Sequence, residues 1–373
     1  MVFPSEKQSR PSDSSIAVAV VGPFPPPLGG FSQAMLLMEG LFKDHWDRVI
    51  RLDTTRISTS DGTQSKLARI LTRVHLIWRL ARVRDDRGRV LFYMGVSGGA
   101  GQLSELLYII IARLKWMRIV LHHHSFAYLN TSYWVSRLLF AAAGNSAIHL
   151  VLCNRMGELL KARYACAQYE VLSNVALNPV VVLPERTSRP VTAIGFLSNI
   201  MIEKGIDRFL EILTQLRARG IFIIGHVAGP FYDVKSQKLV EQAVARGLVR
   251  YHGPVTGKQK EDFFESIDVF VFPTRYLNEA EPFVVLEALA AGVPVIATAR
   301  GCIPAWVDNS VGLLLDPIAE NLLPAVDLIA YWAAASPFDY NQTRKRAGQR
   351  AKTLSAEAQA TRVAILNRLK VEQ

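Results

Sequence analysis

The chain has 373 residues, half of them hydrophobic and a fifth charged, a balance that fits a globular protein and excludes a disordered one. That length exceeds one ordinary core, so two domains are expected. A net charge of +11 and a pI near 9.7 call for an anionic partner. The three cysteines, Cys153, Cys166 and Cys302, are widely spaced and form no CxxC pair. They argue for a reducing compartment and against a disulfide framework or a structural zinc site.

The opening "MVFPSEKQSRPSDSS" is polar and lacks the apolar centre of a signal peptide, so residues 1–14 read as a flexible arm. "IAVAVVGPFPPPLGG" (16–30) reads as a buried strand entering a Pro/Gly loop, followed by a helix in "FSQAMLLMEGLFKDH". Residues 65–89 hold eight Lys/Arg against two Asp, with Leu67, Ile70, Leu71, Val74, Ile77, Trp78 and Ala81 at helical spacing. Such a basic amphipathic helix suits an anionic membrane surface; a packed helix with a solvated basic face fits equally. "VLFYMG" (90–95), "RIVLHHHS" (118–125) and "AIHLVLCN" (147–154) look like further buried strands. The apolar run 106–121 is broken by Arg113, Lys115 and Arg118, so it is not a membrane span. "YEVLSNVALNP" (169–179) closes the first half with turn residues.

The second half restarts the rhythm. Strands fit "VTAIGFLSN" (191–199), "IFIIGHVAG" (221–229), "VRYHGPV" (249–255), "IDVFVFPT" (267–274) and "VPVIAT" (293–298), with helices between. Two runs of alternating strands and helices predict an α/β protein of two doubly wound, Rossmann-like domains, with ligands at the carboxyl ends of the strands. The expected division is an N-terminal domain over 15–176, a second over 177–353, and a last helix over 354–373 packing back towards the first. No interleaved aromatic and basic platform speaks for nucleic acid. The compartment expected is the cytoplasm.

The chemistry concentrates in "NEAEPFVVLEALAAGVPV" (278–295), three carboxylates around an almost wholly apolar helix. Pro282 suits the first turn of that helix. Amides near Phe283 and Val284 would lack intrahelical partners and offer a pocket for phosphate or sugar oxygens. Glu287, one turn in, could accept two ribose hydroxyls, a partner that makes burial of its charge tolerable. Glu279 sits on the loop, towards whatever hangs beyond the phosphates.

Glu279, seven residues and then Glu287 resembles the E-x7-E motif of retaining glycosyltransferases of family 4, which have the GT-B fold of two facing Rossmann-like domains. The likeness extends over nearly the whole chain and is strongest from 191 to 317, through "EKG", "HGPV" and "AAGVPV". It implies that Gly29 and Gly30 let the backbone approach the donor diphosphate, and that a histidine of "HHHS" faces the cleft. Alternation puts His122 and His124 on one face and His123 on the other, and His124 lies nearest the strand end. Three adjacent histidines without a carboxylate or cysteine constellation make a poor metal site. Lys204 matches the family's diphosphate-binding lysine, whereas Asn199 stands where the family most often has arginine; Arg275 is one candidate to compensate. Gly253 and Val255 fall where backbone meets the nucleobase, and Ala305 replaces a common glutamate.

The resemblance therefore implies a nucleotide-diphospho-sugar as co-substrate, no cofactor and no essential metal. Catalytic roles fall to Glu279, Lys204 and His124; donor binding adds Gly29, Gly30, Asn199, Gly253, Val255, Pro282, Phe283, Val284 and Glu287. With the basic helix, it suggests a lipid-linked or oligosaccharide acceptor in polysaccharide or cell-envelope synthesis, at the inner face of the membrane. The alternatives are a GT-B relative with other chemistry, such as a sugar phosphorylase or nucleotide-sugar epimerase, and a non-catalytic nucleotide-sugar-binding scaffold.

Overall fold

A computed structural model of the chain describes residues 17–26, 29–55, 66–83, 90–164, 166, 168–178, 190–334 and 337–371. The N-terminal arm and most of the segment joining the two halves lie outside them. The first half runs β1 (Ala17–Gly22), α1 (Gly30–His45), β2 (Arg48–Asp53), α2 (Lys66–Ala81), β3 (Val90–Val96), α3 (Gln102–Leu114), β4 (Arg118–His123), α4 (Ala127–Asn130), α5 (Trp134–Ala143), β5 (Ile148–Val151), α6 (Asn154–Tyr164), β6 (Tyr169–Val171) and α7 (Asn174–Leu177). The second half runs β7 (Ala193–Leu197), α8 (Ile206–Ala218), β8 (Ile224–Ala228), α9 (Val234–Ala245), β9 (Val249–Tyr251), α10 (Lys258–Ser266), β10 (Val269–Phe272), α11 (Phe283–Ala290), β11 (Val295–Thr298), β12 (Gly312–Leu315), α12 (Leu323–Ala334) and α13 (Pro337–Val371).

Two parallel six-stranded sheets result, in the orders β2-β1-β3-β4-β5-β6 and β12-β11-β10-β7-β8-β9. Central strands such as β1 (AVAVVG) and β10 (VFVF) are apolar and buried along their whole length, as parallel strands covered by helices on both faces must be. The strand order reverses between β1 and β3 in the first sheet and between β7 and β10 in the second. Loops leaving these four strands diverge at their carboxyl ends and open a crevice there. Both sheets thereby aim their crevices at the seam between the domains.

Helix α13 starts on the second domain, where Arg344 Nε donates to the Gly292 carbonyl at 3.1 Å. It ends on the first, where Ile365, Leu366 and Leu369 join the core of Val18 and Val120. Arg362 donates to the Ala176 carbonyl at 3.0 Å and Arg118 to that of Leu369 at 3.2 Å. The helix is continuous from Pro337, earlier than its expected start at 354, because the polar run "NQTRKRAGQR" (341–350) hides its apolar side. Strands β2, β6 and β12 were not expected either. β2 and β6 are mostly half-exposed edge strands, and the turn residues of 169–179 in fact build β6 and α7.

The cysteine expectation needs correcting. Cys153 and Cys302 are joined, with 5.8 Å between their Cα atoms, and the bridge ties the turn after β5 to the second domain. A separation of 149 residues gave the sequence no sign of it. Without its disulfide-free cysteine set, the argument for a reducing compartment falls. Cys166 is free. Alkylation of the denatured, unreduced protein should label Cys166 alone, and all three cysteines after reduction. Equal labelling before and after reduction, read by mass, would show that the bridge does not form. Among the described residues no helix is long and apolar enough to cross a membrane.

Candidate active site

A cavity of about 1170 Å³ fills the seam. Its first-domain wall comes from the loops after β1, β3 and β4: Gly29 and Gly30, Ser97 and Gly98, His124 and Ser125. Its second-domain wall carries Asn199, Lys204, Tyr276, Glu279, Glu281 and Pro282.

The glycine loop is built for close approach. Gly29 caps α1 without a side chain, and its amide is held by Ser32 Oγ at 3.0 Å. On the other domain Gly205 has φ +89°, and a Cβ there would stand 2.3 Å from the Pro273 carbonyl oxygen. Only glycine lets the turn carrying Lys204 pack against the end of β10. Lys204 Nζ consequently reaches Glu279 Oε2 at 2.7 Å, with Thr274 Oγ1 donating to the same oxygen at 3.2 Å. The ammonium also lies 4.7 Å from the Tyr276 ring centroid. Gly301 (φ +55°) presses on the Glu279 and Ala280 carbonyls from behind.

Glu281, given no role by the sequence, is buried against the first domain. It accepts hydrogen bonds from Ser173 Oγ at 2.7 Å and from the Asn174 amide, while Asn174 Nδ2 donates to its carbonyl at 3.1 Å. Burial pushes this carboxyl up to about 8 despite those donors. Glu287 lies deeper along α11, where Lys260 takes Oε1 at 2.8 Å and Oε2 is buried with no hydrogen-bond partner.

His124 lines the cavity, stacked on Phe31 with ring centroids 4.8 Å apart, and its Nε2 has no partner. Burial, then its histidine neighbours, holds it well below the usual imidazole value, hence neutral. The other two histidines are engaged: His122 with Tyr93 at 2.6 Å, His123 with Tyr128 at 2.7 Å and with His149 at 3.0 Å.

Not every predicted residue reaches the cavity. Phe283 packs in the first domain's core with Phe24 and Met35, and Pro282 is the N-cap of α11 rather than its first residue. Val284, Gly253, Val255 and Glu287 lie beyond the lining, as does exposed Ala305. Arg275 does not compensate for Asn199. Its guanidinium is turned away to Asp207 at 2.5 Å and to the Ile202 carbonyl.

The sequence reading missed Glu105. It stands on the first turn of α3, lines the cavity, and accepts from Ser97 Oγ at 2.5 Å and the Ser97 amide at 3.1 Å, leaving Oε2 buried and unpartnered. The Gly/Ser-rich "VSGGAG" directly after β3 was the available signal. Burial raises its carboxyl to about 7. Arg73 and Tyr108 line the cavity beside it.

Two parallel-sheet domains whose strand-end crevices face one another have the architecture of the GT-B fold. Comparison with known proteins agrees. Residues 191–329 match the family described as glycosyl transferases group 1. The chain is 33% identical over 129 residues to D-inositol 3-phosphate glycosyltransferase of Arthrobacter sp. (strain FB24), covering 32% of this chain and 30% of that one. It is 30% identical over 147 residues to the lipopolysaccharide core biosynthesis mannosyltransferase LpsB of Rhizobium meliloti (strain 1021), covering 37% and 40%. These matches thus span about a third of the curated relatives' length. Sucrose-phosphate synthase of Thermosynechococcus elongatus superposes with a TM-score of 0.69 at 15% identity, covering 95% of this chain and 98% of that one. Anabaena HepE in complex with UDP-glucose superposes at 0.66 and 15%, covering 95% and 98%. Over residues 191–329 the chain is thus similar to the glycosyl transferases group 1.

Two sets of variants probe this site. Glu279→Gln should chiefly lower kcat, about tenfold or more, whereas Glu287→Gln should chiefly raise the donor KM. Wild-type kinetics in both would remove them from the chemistry. Glu105 and Glu281 have folded values near 7 and 8, above the 4.5 of the free carboxyl. Below 4.5 their contribution to stability is fully present, and it is lost as pH rises through 7 and 8. Thermal stability should therefore decline from pH 5 to 8.5, and the double Gln variant should flatten that slope. An unchanged slope would contradict the assignment.

Proposed function

We propose that the protein is a retaining glycosyltransferase that moves a sugar from a nucleotide-diphospho-sugar to a saccharide acceptor held by the first domain. The observation that carries this reading is the Lys204–Glu279 pair at the cavity, on the domain that matches the family. Lys204 and the free amides of α11 receive the negative charge that develops on the departing diphosphate, electrostatic catalysis at the place where charge appears. Glu279 is then released to the sugar, and Glu287 Oε2 accepts from the ribose. Asn199 hydrogen-bonds the diphosphate in place of an arginine. Gly253 and Val255, on the loop bonded to Gly229, meet the nucleobase.

Departure and attack take place on the same face of the sugar, so the anomeric configuration is kept. Neutral His124 hydrogen-bonds the transferred sugar, and Glu105 accepts from an acceptor hydroxyl; both line the cavity with an unpartnered polar atom, which supports these roles. No metal is needed where an ammonium and helix amides neutralise the diphosphate. The acceptor is a lipid-linked saccharide in polysaccharide or cell-envelope synthesis, and the protein works peripherally at the inner face of the membrane. Support comes from the basic helix α2, since the cytoplasmic leaflet is the negatively charged one.

A thermal-shift screen of UDP-, GDP- and ADP-sugars in EDTA, followed by transfer assays with the stabilising donor, tests this reading. One donor class should raise Tm and then yield a conjugate with retained configuration. An epimer or a sugar phosphate without any acceptor conjugate, or transfer that requires added Mg²⁺, would overturn it.

A further inference from the structure

Helices α2, α3 and α5 form one layer on the first sheet, with α3 packed between the other two. Their inner side chains, among them Leu80, Ile109 and Phe140, belong to the domain core. The outer side of such a layer is normally polar. Here it is not. Helix α3 exposes Leu103, Leu107, Ile110 and Leu114, at i, i+4, i+7 and i+11, so one apolar stripe runs its whole length outward. Leu71, Val74 and Trp78 continue it on α2, and Trp134 and Leu138 on α5.

Trp116 is the most informative residue. It follows the C-cap of α3 with φ +59°, the left-handed conformation usually taken by glycine at that position. Its side chain is 85% exposed. A bulky residue with positive φ is strained, and an indole in water returns nothing for that strain. Folding alone would favour glycine there, so the indole serves something outside the fold.

The charges around the patch have one sign. Arg79, Arg82 and Arg113 are exposed, and Arg82 lies over the Trp78 ring with its guanidinium carbon 3.8 Å from the centroid. The three helices contain a single carboxylate, Glu105, and it lines the cavity. A protein partner of mixed charge has nothing here to meet its cations. An anionic lipid leaflet matches both the apolar stripe and its basic rim.

We propose that the outer face of α2, α3 and α5 docks on an anionic bilayer, with Trp78, Trp116 and Trp134 at headgroup depth and the α3 stripe against the acyl boundary. Tryptophan takes that depth because its ring has an apolar body and a polar N–H. Docking brings the first-domain side of the cavity close to the lipid, because Arg73 of α2 and Ser104, Glu105 and Tyr108 of α3 line it. The inference rests on the reading of the acceptor as lipid-linked and extends it from a charged helix to an inserting surface.

Sedimentation with vesicles of phosphatidylcholine alone, and of phosphatidylcholine with phosphatidylglycerol, tests the surface. The wild type should bind the anionic vesicles, with a blue-shifted tryptophan emission, and bind less as salt rises. Trp116→Gly should leave Tm unchanged or higher and cut anionic-vesicle binding about tenfold, as should the exposed pair Leu107→Gln with Ile110→Gln. Both variants should keep the donor-induced thermal shift. Full binding by both variants, or no binding by the wild type, overturns the surface. So does a concentration-dependent dimer that Trp116→Gly abolishes without lipid, since the face would then join two copies. Vesicle binding lost in the variants of a protein that no nucleotide-sugar stabilises would sink the transferase reading and leave the surface standing.

Discussion

Three carboxylates within nine residues, Glu279, Glu281 and Glu287, stand in a largely apolar stretch at the seam of two domains. A buried carboxylate is tolerable only when partners hold it or when it gives up its charge. Each of the three solves this differently. Glu279 meets the Lys204 ammonium, Glu287 meets Lys260 with one oxygen only, and Glu281 takes a proton near 8 and leans on Ser173 and Asn174 of the other domain. The site's geometry follows from this division. One carboxylate is exchangeable, one is half-satisfied, and one is a latch.

The latch matters because the loop carrying it belongs to one domain and is fixed by the other. Asn130 Nδ2 donates to the Leu277 carbonyl at 2.7 Å, Arg155 to that of Gly301 at 3.2 Å, and Cys153 is bonded to Cys302. Cys302 in turn donates its amide to the Ala280 carbonyl at 2.8 Å. The segment 277–281 is thus held from both sides. The position of Glu279 is therefore coupled to the contact between the two domains, and the cavity walls cannot separate without disturbing it.

The fold was legible because buried parallel strands are written as continuous apolar runs, and nine of them stand out between punctuating glycines and prolines. The edges were not. β2 and β6 are half-exposed and lack that signal, and α13 begins in a run of charged and amide residues. Site residues carried by a spaced motif, such as Lys204 and Glu279, could be read from the chain and do meet. Residues whose role is made by a contact could not. Glu281 is meaningful only beside Asn174, over a hundred residues away, and the Cys153–Cys302 pair only when the two domains face each other. Arg275 shows the converse: its charge suggested the diphosphate, yet Asp207, which follows α8's first residue, claims it.

Helix α3 joins the two chemistries of the first domain. Its first turn places Glu105 in the cavity, its outer stripe stays apolar, and its end presents Trp116. At 1.5 Å per residue its 13 residues span about 20 Å, so both ends belong to one rigid element. A change that tilts the outer face is carried to Glu105 and to the hydrogen bonds of Ser97. The strain at Trp116 and the burial of Glu105 both oppose folding, and neither is needed to close the core. Two such departures on one helix, one at each end, are what the proposed lipid-linked acceptor would use, held in the cleft by its sugar and reaching the surface by its lipid.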